Sequence, residues 1–145
     1  MQVSVSVPLQ VSIGEAWEKL SDLEDHVNWM ADAERIDFEG ELRSGPGVTM
    51  HVLTRIGPFS TTDVIKVVEW EPPRLIRVEH TGLFTGHGAF HLAPMGDSAT
   101  LFTWEEEILF PWYLGGPIGA GFAKPVLTLV WKRNLSRLRR SVEGR

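Results

Sequence analysis

Two side chains able to exchange protons, His80 and Glu106, stand among apolar residues that alternate in the manner of β-strands. Ile76, Val78 and His80 share one strand phase, and Phe102, Trp104, Glu106 and Ile108 share another. An unpaired polar group on such a face is costly, so both are candidates for contact with a ligand. Histidine titrates near neutrality and a carboxyl facing the same cavity could exchange protons with it, so the two also qualify as a candidate catalytic acid/base pair. The plainer reading stands beside that one: inward histidines near strand ends are commonly satisfied structural groups, and a glutamate at a rim is simply solvated.

Other chemistry is thinner. His26 falls in a short helix and His51 on the outward phase, while His87 and His91 share the face opposite Phe90 with no third ligand nearby, so no metal site is expected. In Glu105-Glu106-Glu107 the alternation sends Glu106 one way and its neighbours the other. With no cysteine, thiol nucleophiles, disulfides and thiolate metal sites are excluded. The glycines at 115, 116, 119 and 121 lack the lysine and spacing of a phosphate loop, so no cofactor is expected.

The elements that must position these groups fit one domain, 1–145, since 145 residues with 43% hydrophobic and 23% charged side chains suffice for a single core. Seven of the fourteen basic residues but only one of the nineteen acidic ones lie in 122–145. The acidic body repels phosphate, so no nucleic-acid partner is expected, and Arg137, Arg139 and Arg140 suit the solvated end of a helix. MQVSVSVPLQV lacks the basic and continuous apolar regions of a signal peptide, which points to the cytoplasm. Residues 108–131 carry one charge, Lys124, but three prolines and four glycines argue against a membrane span there and leave only transient, interfacial membrane contact.

Val3 to Val7 alternates as a strand that Pro8 should end. Ser12 can cap a helix carrying Ile13, Trp17 and Leu20, and Asp22 a second one through Trp29. Strands follow at Ile36–Phe38, Val48–Ile56, Phe59–Trp70, Leu75–His80, Gly88–Leu92 and Thr100–Ile108, separated by glycine and proline turns. A long apolar-periodic helix ends the chain. This is an α+β class with a seven-stranded antiparallel sheet, two short helices after strand 1 and a long C-terminal helix.

The more apolar phase of each strand predicts a cavity wall of Met50, Val52, Thr54, Val78, His80, Phe90, Phe102, Trp104 and Glu106. The Gly/Pro-rich segment 111–121 reads as an entrance, with Trp112, Tyr113 and Phe122 along it. Val126, Leu127, Val130, Trp131 and Leu138 make up the helix's inner stripe, with Val126 and Val130 expected at the ligand, and Pro125 should bend that helix.

The order of elements resembles the helix-grip fold of the START-like (SRPBCC) superfamily, and particular stations resemble its polyketide cyclase/dehydrase-like branch. These are Ser12 to Leu23 with Trp29 following, Trp70-Glu71-Pro72-Pro73-Arg74, Gly96 to Thr100, and Asn134-Leu135-Ser136-Arg137-Leu138. The resemblance covers essentially the whole chain and implies a curved sheet wrapped around the terminal helix. It implies binding or transport of a small hydrophobic, lipid-like or polyketide-like ligand in an internal cavity. An aromatase/cyclase-type enzyme and a non-catalytic protein-interaction module are the alternatives on this scaffold. Oligomeric state and ligand identity have no signal in the sequence.

Overall fold

The computed structural model describes residues 1–144, which leaves Arg145, one of the basic tail residues, outside the described chain. Seven strands, β1 (Gln2–Leu9), β2 (Ala33–Phe38), β3 (Thr49–Ile56), β4 (Phe59–Glu71), β5 (Leu75–Thr81), β6 (Thr85–Pro94) and β7 (Thr100–Leu109), form one antiparallel sheet ordered β1-β7-β6-β5-β4-β3-β2. Two short helices, α1 (Ile13–Ser21) and α2 (His26–Trp29), follow β1, and α3 (Gly116–Glu143) ends the chain. The helix-grip order expected from the sequence is the order found.

Local chemistry explains most boundaries. The Ser12 hydroxyl accepts from the Glu15 N–H and caps α1. Asp22 makes no such bond; Leu23–Asp25 instead form a 3-10 turn that feeds α2, so the single capped helix expected there is two pieces. Pro8 does not end β1. That strand lies at the sheet edge, paired only with β7, where a missing N–H costs nothing if it faces outward, and the ladder continues to Leu9 opposite Thr100. In β4 the register shifts between Val67 and Glu69, a bulge that resets which side chains face inward beyond it.

The inward face is filled unevenly. One cluster joins Leu9, Ala16, Leu20, Phe102, Trp104 and the α3 residues Trp131, Leu135 and Leu138. A second joins Leu23, Ala33, Val48, Met50, Val52, Val67 and Ile76 at the other end of the sheet. The C-terminal half of α3 is therefore packed down, and Asn134, fully buried, fixes it there: its Oδ1 accepts from Ala31 N–H at 3.0 Å, and its Nδ2 donates to Asp32 Oδ1 at 2.6 Å. In the N-terminal half only Gly116 and Ala120 are buried.

Candidate functional site

Beneath that less buried half of α3 lies a cavity of about 650 Å³. Of the residues expected on its wall, Met50, Val52, Thr54, Val78, His80, Phe90, Trp104, Glu106, Phe122 and Val126 do lie there. Phe122 is also 79% exposed, which places it at the mouth.

Four expected wall residues lie elsewhere. Phe102 has the correct phase but is fully buried in the first cluster, its ring edge-on to Phe90 at 5.1 Å, because the packed half of α3 covers that end of β7. Val130 packs against the same cluster, and Leu127 and Trp131 reach the wall instead. Trp112 (84% exposed) and Tyr113 (59%) face outward from a 3-10 turn at 112–114, while Phe110 and Leu114, on the other side of that turn, face the cavity. The expected entrance loop is shorter than 111–121, since residues from Gly116 onward belong to α3, which runs continuously through Pro125.

His80 on β5 and Glu106 on β7 are not on neighbouring strands. Between them runs β6, where His80 pairs with Gly86 and Glu106 with Gly88. Both intervening positions lack side chains, so the two reach over β6, and His80 Nε2 stands 2.8 Å from Glu106 Oε2. A Cβ at Gly88 would collide with the Glu106 carboxylate, and one at Gly86 with the Glu107 carbonyl. Trp104 Nε1 donates to Glu106 Oε1 at 3.0 Å, and Trp104 stacks on Trp131 at 4.5 Å between ring centres. The contact between His80 and Glu106 is close enough for an ion pair but misaligned for a hydrogen bond, which leaves Oε2 of Glu106 without a directional donor.

Three ionisable wall residues were not expected on the wall: His26, placed in a short helix without a site role, Asp32 and Asp63. Asp63, 6% exposed, accepts from Leu83 N–H at 2.9 Å and Thr61 Oγ1 at 3.2 Å. The turn Gly57-Pro58 could have revealed it, because pairing Ile56 with Phe59 puts Asp63 opposite Val52, on the same face. His26 opens α2 and Asp32 lies in the turn after it, where no strand alternation exists to read. Burial opposes charge on His80, but the charge and close contact of Glu106, with the charge of Asp63, outweigh it and hold the ring above its ordinary pKa. Burial holds His26 below its own, against the Leu20 carbonyl 2.8 Å from Nε2 and the charges of Asp25 and Asp22. Burial raises Asp32, against hydrogen bonding by Asn134. The remaining histidines face outward beside glutamates, His51 with Glu39, His87 with Glu107 and His91 with Glu105. Among the described residues no group of three His, Asp or Glu is arranged to hold a metal, and no helix is long and apolar enough to cross a membrane.

A sheet gripping one long helix over a half-open apolar cavity is what the comparisons bear on. The family described as polyketide cyclase/dehydrase and lipid transport matches residues 1–143. The chain belongs to that family. Solved structures of like fold include a START superfamily protein from Mycobacterium smegmatis, at TM-score 0.78 and 16% identity over 99% of this chain and 97% of that one. An aromatase/cyclase from Streptomyces sp. R1128 aligns at TM-score 0.70 and 16% identity, covering 99% and 92%. A norcoclaurine synthase from Thalictrum flavum, in complex with a transition-state analogue, aligns at TM-score 0.73 and 15% identity, covering 99% and 94%. No curated protein matches the chain. At such identities what these structures share with the chain is the fold, and the site must be read from its own residues.

Proposed function

We propose that the protein binds and carries a small, largely hydrophobic molecule in this cavity, with one polar end directed toward His80 and Glu106. The observation that carries the reading is the cavity itself: about 650 Å³, walled mainly by aliphatic and aromatic side chains, with few ionisable groups converging on it. Burial of the guest's apolar surface supplies affinity at about 25 cal/mol per Å², and the polar groups supply orientation. Exchange takes place at the rim where Phe122 and Val126 are both exposed and on the wall.

The test uses Nile red, a neutral apolar dye whose emission rises on burial. It should light up with wild type and lose at least about tenfold in affinity with Val78→Trp, which fills the cavity from β5. Equal binding to both proteins, or none to wild type, would refute the cavity as a binding site. Native mass spectrometry of gently purified protein would then identify the natural guest.

The buried contact between His80 and Glu106 favours a second reading, an aromatase/cyclase-type enzyme in which the pair moves protons during ring closure and dehydration. Turnover of an aromatic-polyketide precursor that Glu106→Gln leaves untouched would remove Glu106 from any such mechanism.

A further inference from the structure

The charges on the cavity wall are one-sided. Asp32, Asp63 and Glu106 all reach it, yet among the described residues none of the chain's lysines or arginines does. Among the described residues, the basic groups on the wall are two histidines. His26 is committed to the Leu20 carbonyl, and burial disfavours its charged form. His80 can compensate one carboxylate, and its Nε2 is already against Glu106. Burial favours the neutral form of Asp32, against its hydrogen bond from Asn134, so Asp63 is the charged carboxylate left with no cationic side chain of the wall in contact. A second observation points the same way: Glu106 is 7% exposed, yet the group against its Oε2, His80 Nε2 at 2.8 Å, is misaligned for a hydrogen bond, and the strand beneath it is cleared by Gly88. Phe90, Trp104 and Trp131 stand on the same wall, with one face each of Trp104 and Trp131 taken up by their stacking, and aromatic rings attract a cation to their electron-rich faces.

We infer that the polar end of the guest is positively charged, so that the cavity selects a hydrophobic ammonium compound over the neutral or carboxylate molecule of the same shape. The inference rests on the cavity being a binding site, as proposed above, and adds the charge of what it takes. A carboxylate entering the same space would lose its water only to meet like charges in a low-dielectric enclosure, where repulsion is poorly screened. A neutral alcohol would gain the apolar burial and nothing more. An ammonium group would gain that burial, the attraction of Asp63 and of Glu106, and contact with the rings.

Three soluble molecules of one shape separate these cases: 4-phenylbutylamine, 4-phenylbutan-1-ol and 4-phenylbutanoate, titrated at pH 7 and fixed ionic strength. Binding is followed by tryptophan fluorescence, since Trp104 and Trp131 stand on the wall. The expected order is amine, alcohol, carboxylate, with the amine about tenfold tighter than the alcohol. In Glu106→Gln that advantage should shrink to about threefold or less while alcohol affinity holds; should this variant not fold, Asp63→Asn is read by the same criterion. If the alcohol or carboxylate binds wild type as tightly as the amine, the charge selection is wrong while the cavity reading survives. If none of the three binds folded wild type, the charge selection falls together with the site on which it rests.

Discussion

Two glycines on β6 make the contact between His80 and Glu106 geometrically available, and their roles differ. At Gly88 the obstacle to a side chain is the end of the Glu106 side chain, which can move; at Gly86 it is the backbone carbonyl of Glu107, which cannot. Gly88→Ala should therefore cost about 1–3 kcal/mol in chemical denaturation, and that cost should fall to under about 1 kcal/mol when Glu106→Ala is already present. Gly86→Ala should cost more and show no such relief. The two buried histidines should leave opposite marks on stability against pH. His26, held low, contributes above the unfolded value near 6.5 and loses that contribution as pH falls below it. His80, held high between Glu106 and Asp63, contributes fully below about 6.5 and loses its contribution as pH rises through its elevated native value. Denaturation series from pH 5 to 9 should show the wild-type advantage over His26→Gln growing upward in pH, and that over His80→Gln growing downward.

At the scale of elements, strand phase was legible and position along the strand was not. Alternation in β7 correctly put Phe102, Trp104, Glu106 and Ile108 on one face, but only the way α3 lies across the sheet separates Phe102, which is core alone, from Trp104, which is core and wall at once. The same limit applies to Trp112 and Tyr113: an apolar body with one hydrogen-bonding atom suggested the cavity's entrance, whereas the 3-10 turn at 112–114 aims Phe110 and Leu114 inward and leaves them in solvent. Cross-strand register could have supplied Asp63; nothing periodic could have supplied Asp32, whose place is set by Asn134 reaching across from α3. That reach can be measured. Asn134→Ala strands the Ala31 N–H and the Asp32 carboxylate and should cost about 2–3 kcal/mol. Loss of the α1 cap in Ser12→Ala should cost only about 1 kcal/mol. Urea midpoints at constant slope would rank the two.

Over the whole molecule, order of elements came through in the sequence because glycine and proline punctuate it so regularly, and the charge imbalance came through by counting. The imbalance inside the cavity did not, because it depends on which few carboxylates of the acidic body turn inward. The helix that closes the sheet is likewise two things in one length of chain. Beyond Trp131 it is fastened by Asn134, Leu135 and Leu138; before it, Ile118, Phe122, Val126 and Leu129 stand largely in water. Backbone amides of the first half should thus exchange with deuterium ahead of those in the second, and a guest beneath the first half should slow it selectively. Occupancy would then be readable from outside, as rigidity gained along a single rod, without any need to see the guest.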